Sequence, residues 1–218
     1  MEPGAQPPGI DSALIAIEHT KKGIADMAKH IILGSGSPRR RELMSRAGFK
    51  FTVKTSNAQE SYDPDLSPAQ IAASLARLKA EAVAQSLDAQ DAQGALVVGA
   101  DTIVALGNTI YGKPADAADA CRMLGELSGK THQVITGVCI VDGDDIQTFA
   151  EETDVTFRAL DTAEIEAYVA GGEPMDKAGA YGIQGEGGKL VDHIDGDFDN
   201  VVGLPIKRLA PMLKELLG

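Results

Sequence analysis

Apolar and polar residues along the chain fall into two rhythms, one of strands and one of helices. A short apolar strand, Ile31 to Leu33, runs into the small-residue loop Gly34-Ser35-Gly36-Ser37, and a helix follows. Ser37 is a favourable N-cap, and Pro38 at the first helical position has no N–H to leave unpaired. The helix closes at Gly48; Phe49, Phe51 and Val53 then alternate with polar residues, the period of a half-buried strand. Ser56 to Ser61 is a polar loop without core residues. Ser67-Pro68 repeats the cap-then-proline signal and opens a helix to about Leu87, with Ile71, Leu75, Leu78 and Ala82 as its core face. Leu96 to Ala100 reads as a buried central strand with Asp101-Thr102 at its C-terminal end, followed by apolar Ile103 to Leu106.

Beyond the Gly107-Asn108 hairpin, the returning segment ends in Gly112-Lys113-Pro114. A helix is expected from Asp116 to Ser128, a strand from Val134 to Val141, and a long strand or pair of strands from Ile146 to Leu160. Asp161 and Glu164 have capping-box spacing for a helix to Ala170. The glycine-dense stretch Asp176 to Gly185 has few core anchors and suits close approach of backbone to a ligand. Asp195 to Asn200 has D-x-D-x-D spacing, but Ile206 stands where a calcium loop needs its glutamate, so it reads as an acidic turn. Pro205 opens a final amphipathic helix through Leu217.

Chemistry concentrates at a few points of this pattern. Arg39, Arg40 and Arg41 fill a first helical turn, where unpaired N–H groups and the helix dipole already favour negative charge. Either they are a solvated basic helix start, or an anion meets them together with the Ser35 and Ser37 hydroxyls. The glycine and serine loop directly before them favours a polyphosphate. Neither a Walker loop nor a G-x-G-x-x-G fingerprint is present. Asp101, between two apolar runs, is costly to bury unless it is paired, hydrogen-bonded or metal-bound; a structural turn-capping aspartate is the alternative. Lys79 flanks the core stripe of its helix and either snorkels to solvent or runs towards a cleft. Lys113 sits on a rigid exposed turn, suited to holding an ammonium near a phosphate. Gln184 offers both a donor and an acceptor, as reading a base edge requires.

Composition narrows the function classes. Across 218 residues, 44% hydrophobic and 24% charged content is that of an ordinary globular protein with a substantial core. A net charge of −12 and only 4% aromatic residues argue against a polynucleotide partner. The arginine cluster is a local exception to that charge. Cys121 and Cys139 lack metal or disulfide-framework spacing and read as reduced thiols. No apolar run approaches a membrane span, and no signal sequence is evident, so a cytoplasmic protein is expected. Residues 1–28 read as an N-terminal extension, disordered or helical, ahead of a domain over 29–218; Met27 would itself serve as a start.

Together the motifs resemble the Maf family of nucleoside triphosphate pyrophosphatases. Leu33 to Leu43 is similar to its signature. Gly99 to Val104, Gly112 to Pro114, Ser128 to His132 and Ala178 to Gly185 are similar to its remaining motifs, in the family's order, over about residues 30 to 217. The resemblance implies a mixed α/β fold, an elongated twisted mixed sheet flanked by helices, with two lobes around a central cleft. It implies hydrolysis between the α and β phosphates with a divalent cation, magnesium by the hard-oxygen donors or else manganese. It makes Asp101 the general base, places Ser35, Arg40, Lys79 and Lys113 with Glu60 around the phosphates and metal, and leads to a homodimer. Glu60 and Asp101 would be the metal ligands, and Ser37 and Arg39 extend the phosphate set. At three positions where family branches differ, Arg39, Thr102 and Gln184 resemble the branch acting on dTTP and UTP. The alternatives are the branch preferring 7-methyl-GTP and a nucleotide-binding regulator of septum formation. His132 is assigned no chemistry.

Overall fold

A computed structural model describes residues 28–218 of the chain; the expected N-terminal extension lies outside them but for its last residue. Strands β1 (His30–Leu33), β2 (Phe51–Val53), β3 (Ala95–Leu106), β4 (Thr109–Tyr111), β5 (Thr131–Asp142), β6 (Asp145–Phe157) and β7 (Val191–Asp195) form one mixed sheet. Its order is β2-β1-β3-β5-β6-β7, with β4 paired to β3. The β1 pairings are parallel and the others antiparallel. The helices are α1 (Pro38–Arg46), α2 (Pro68–Gln85), α3 (Ala117–Leu127), α4 (Thr162–Ala170), α5 (Phe198–Val202) and α6 (Ile206–Leu217). Among the described residues no helix is long and apolar enough to cross a membrane.

The cap signals form as expected. Ser37 Oγ accepts from Arg40 N, Ser67 and Gln70 close a full capping box, and Asp161 accepts from Glu164 N. The Glu164 side chain does not complete its own box, because both its oxygens accept from Arg158. The β2 strand is shorter and more exposed than its alternation suggests: it is an edge strand, and Val53 is 42% exposed.

The core face of α2 is rotated from the expected one. Ile71, Ala72, Leu75, Ala76, Ala80 and Val83 are buried, whereas Leu78 and Ala82 are only half-buried. The reason lies across the interface. A Cβ on Gly99 would stand 2.5 Å from Ala76 O, and one on Gly137 would stand 2.0 Å from Ala72 O. The helix backbone rests directly on two sheet glycines, so alanines, not leucines, make the closest contact.

Strand β3 runs unbroken through Asp101, which is therefore mid-strand and not at a strand end. What ends there is pairing on one edge. β1 accompanies β3 only to Val98, and β4 joins only from Val104. In that gap both faces of the sheet change character. On the α2 face, Asp101 opposite Gly137 separates the cluster around Val97 and Cys139 from that around Ile103 and Ile135. On the other face, Thr102 opposite Thr136 separates the cluster around Val98 and Val138 from that around Val104 and Val134. Two apolar bodies thus share one sheet with a polar belt between them, and a cleft opens at the belt.

Candidate active site

The cleft is a cavity of about 950 Å³. All ten residues singled out from the sequence line it: Ser35, Ser37, Arg39 and Arg40 from the β1–α1 loop and α1, then Glu60, Lys79, Asp101, Thr102, Lys113 and Gln184. They arrive from six separate parts of the chain.

Asp101 is buried, with 9% of its surface exposed. Its charge is met by Lys79, whose Nζ donates to Asp101 Oδ1 and lies 2.9 Å from Glu60 Oε1. Of the two courses open to Lys79, the stem takes the one into the cleft. The tight seating of α2 on Gly99 and Gly137 brings it there, because Lys79 stands beside Ala80, which packs on Gly99. Glu60 comes from the polar loop after β2 and is exposed. Two carboxylates therefore converge on a single cationic nitrogen.

Arg40, expected around the phosphates, commits most of its donors to protein. Its Nε donates to Gly203 O at 2.8 Å, Nη1 to Ala100 O at 2.9 Å and to Ser35 Oγ at 3.1 Å, and Nη2 to Thr102 Oγ1 at 2.9 Å. Four of its five N–H groups are committed to protein, leaving one for a ligand. Ala100 O is a carbonyl of the unpaired β3 edge, so the guanidinium fills the gap left by β1 and β4. Burial pushes the Arg40 pKa down and the Asp101 charge pulls it back up; the group stays cationic. Ser35 Oγ already accepts from Arg40 and from Ser37 N at 3.3 Å, so what it has for a phosphate is its own proton.

Behind Arg40 runs a directed chain of hydrogen bonds. Thr136 Oγ1 donates to Asn200 O at 3.1 Å. Thr136 has one hydroxyl proton, so in the 2.9 Å contact between Thr102 and Thr136 the donor is Thr102. Thr102 is thereby left to accept from Arg40. Asn200, fully buried on α5, donates its side-chain amide to Val134 O and Thr153 Oγ1, both at 2.9 Å. The stretch read as an acidic turn thus carries the knot of the polar belt.

The opposite wall is the 171–190 segment, which folds as three short 3₁₀ turns. Gln184 is exposed and lies in the turn closed by Gly185 N donating to Gly182 O at 3.3 Å. The glycines here meet protein, not open ligand space. A Cβ on Gly185 would lie 2.5 Å from Glu173 Oε2, and one on Gly182 would lie 2.6 Å from Lys177 Cε. Glu173, absent from the sequence reading, is the acceptor this wall is built on; the only sequence signal was its place just after the Gly171-Gly172 helix stop. Its oxygens accept from Tyr168 Oη at 3.0 Å, Glu186 N at 3.0 Å and Gly187 N at 3.2 Å. Burial pushes the Glu173 pKa up, but these donors and Lys177 hold it below the usual carboxylate value. Arg39 reaches across the mouth to within 4.0 Å of Asp176. Lys113 stands exposed at the rim. His132 is buried against Phe157 and Tyr181, with Nε2 2.9 Å from Tyr181 Oη, and burial lowers its pKa to about 4. It does not line the cavity.

Such a site can take an anion against Arg39, Lys79 and Lys113 while keeping one carboxylate, Asp101, beside it to accept a proton. Among known proteins, the family model described as Maf-like protein matches residues 30–216. A dTTP/UTP pyrophosphatase of Bacillus cereus (strain ATCC 10987 / NRS 248) is 50% identical over 197 residues, covering 90% of this chain and 94% of that one. A dTTP/UTP pyrophosphatase of Bacillus anthracis is 51% identical over 187 residues, 86% of this chain and 95% of its own. The solved structure of the Staphylococcus aureus Ham1 protein overlays with a TM-score of 0.40 at 15% identity, over 59% of this chain and 72% of that one. With the family's motifs matched in order and relatives half identical over almost their whole length, this chain belongs to the Maf family.

Proposed function

We propose that this chain hydrolyses dTTP and UTP between the α and β phosphates, giving the nucleoside monophosphate and pyrophosphate. The observation that carries the reading is the convergence of Asp101, Lys79 and Glu60 in a cleft headed by the arginine-rich start of α1. Water attacks the α phosphorus in line with the bridging oxygen to the β phosphate. Asp101 takes the proton of that water as the new P–O bond forms, and the P–O bond to the leaving pyrophosphate breaks. Arg39, Lys79 and Lys113 offset the charge gathering on the phosphate oxygens, the largest contribution a preorganised site makes to such a transfer. Ser35 donates its free proton, and Arg40, held by the protein, adds its field and one N–H. Ser37 caps the helix that presents them.

A divalent cation fits the donor set. Glu60 and Asp101 already converge on a point that accommodates positive charge, the Lys79 ammonium. Among the described residues no group of three or more His, Cys, Asp or Glu side chains gathers to hold a metal. The two carboxylates would therefore hold it with water and phosphate oxygens as the other ligands, the habit of magnesium. Bound there, the ion would neutralise phosphate charge and help position the water. Selectivity for the pyrimidine is assigned to Gln184, with Arg39 and Thr102 as the other positions of the branch pattern.

The test is product analysis with magnesium on dTTP, UTP, CTP, 7-methyl-GTP, dGTP and ATP. Expected are pyrophosphate and monophosphate from dTTP and UTP, with Asp101→Asn lowering kcat by about 10²–10⁴-fold, the range of a lost general base. Orthophosphate release would refute the site of cleavage, and turnover confined to 7-methyl-GTP would refute the substrate assignment.

A further inference from the structure

The turn that carries Gln184 is tied down on both sides by one pair of residues. Tyr168, buried on α4, accepts from Gly182 N at 3.3 Å, the first residue of the turn. The same hydroxyl donates to Glu173 Oε1 at 3.0 Å. Just past the turn, Glu186 N and Gly187 N donate to the two oxygens of Glu173 at 3.0 and 3.2 Å. Close packing completes the clamp. A Cβ on Gly185 would stand 2.5 Å from Glu173 Oε2, and one on Gly187 would stand 2.6 Å from Tyr168 Oη. Gln184 itself makes no side-chain hydrogen bond among the described residues, so what the protein fixes by hydrogen bonding is the backbone that carries it.

We propose that Glu173 and Tyr168 are positioning residues for base selectivity: their hydrogen-bonded pair fixes the Gly182–Gly185 turn and hence the place of the Gln184 amide. The inference rests on the reading that Gln184 faces the base. Chemistry occurs at Asp101 on the other wall, so the pair acts on which nucleotide binds more than on how fast a bound one reacts. A carboxylate is needed because two backbone N–H groups and a phenol converge on it. An amide at the same place accepts on one atom only, and its NH₂ opposes a donor.

Glu173→Gln and Tyr168→Phe test this, the second keeping the buried ring. For each, kcat and KM are measured on UTP, dTTP, CTP and 7-methyl-GTP. The expected result is a KM for UTP and dTTP raised about tenfold, the scale of a lost hydrogen bond to a charged group, with kcat within about threefold of the parent. The KM values for the other two change less, so the preference narrows. An equal loss on all four nucleotides would overturn the proposal, since a merely structural role lowers every substrate alike. Calorimetric binding of UTP and 7-methyl-GTP to Asp101→Asn, with and without Glu173→Gln, reads selectivity without turnover. A binding preference narrowed by Glu173→Gln supports the clamp even should the parent hydrolyse neither nucleotide, an outcome that refutes only the assigned reaction. A preference present in Asp101→Asn and untouched by Glu173→Gln refutes the clamp while the reaction stands. Gln184→Ala with selectivity unchanged would refute the base-reading role, and the proposal with it.

Discussion

The two walls of the cleft hold their functional groups by different means. On the sheet wall, Asp101, Thr102 and Lys79 are fixed by continuous strands and a helix seated on glycine, with Arg40 pinned to four acceptors. On the loop wall, short 3₁₀ turns have little ladder pairing, and one carboxylate gathers the donors that strands would otherwise satisfy. The first arrangement is redundant and rigid, as charge stabilisation during phosphoryl transfer requires. The second concentrates its geometry in few bonds, so small changes there can shift substrate preference without dismantling the fold. Reaction and selectivity are thus assigned to regions of different robustness.

The strongest way to break the sheet wall is to lift α2 off it. Gly137→Ala would place a methyl group 2.0 Å from Ala72 O, a backbone atom that cannot step aside by itself. The expected cost exceeds about 4 kcal/mol, the range reserved for forced overpacking and similar faults. Thermal unfolding should fall by at least ~10 °C, or the variant should fail to accumulate as soluble protein. A melting point within a few degrees of the parent would mean that the helix is not held by this contact.

Acid tests the junction between the walls. His132 on β5 contacts Tyr181 at the root of the loop wall, and burial lowers its pKa to about 4. The unfolded chain, with an ordinary histidine, binds the proton more readily. The stabilisation is therefore complete above about pH 6.5 and is lost as pH falls towards 4. Between pH 7.5 and 5 it amounts to about 2 kcal/mol. Urea unfolding at the two pH values reads it, and His132→Gln should flatten that part of the dependence. An unchanged slope in the variant would show that other groups produce it.

Much of the sheet wall was legible in the sequence, because strand and helix periods, caps and prolines are local signals. Eight of the ten singled-out residues that line the cleft fall in short motifs, whereas Glu60 and Lys79 lie outside them. What could not be read were relations across the chain. Helical spacing marks Ile71, Leu75, Leu78 and Ala82 as the α2 core face, and only the first two of them are buried. Glycines on β3 and β5 instead brought the helix so close that Ala72, Ala76 and Ala80 took the contact. The commitment of Arg40 to Ala100 O and Gly203 O has no sequence signal, because these are backbone atoms, which no residue type announces. Asn200 lies in a stretch that reads as an acidic turn, and no sequence motif marks Glu173. Their importance comes from burial and from convergent donors, and neither has a period.

The mildest perturbation asks whether the sheet wall is as redundant as its bonds suggest. Thr136→Val removes the link between Thr102 and Asn200 O while keeping a β-branched side chain of similar size. Asn200 O is not orphaned, because Gly203 N also donates to it at 2.9 Å. Thr102 loses the acceptor for its proton but can still accept from Arg40, which keeps Gly203 O, Ala100 O and Ser35 Oγ besides. The expected stability cost is about 1 kcal/mol, one net hydrogen bond, or roughly 2–4 °C in the melting temperature. Because three other bonds hold the guanidinium, kcat/KM on UTP should fall by less than about threefold, well under 1 kcal/mol of transition-state stabilisation. A tenfold or larger fall with the same small stability loss would mean that the directed hydroxyl chain, and not the four-point anchor, sets the position of Arg40. The two walls would then depend on single bonds alike.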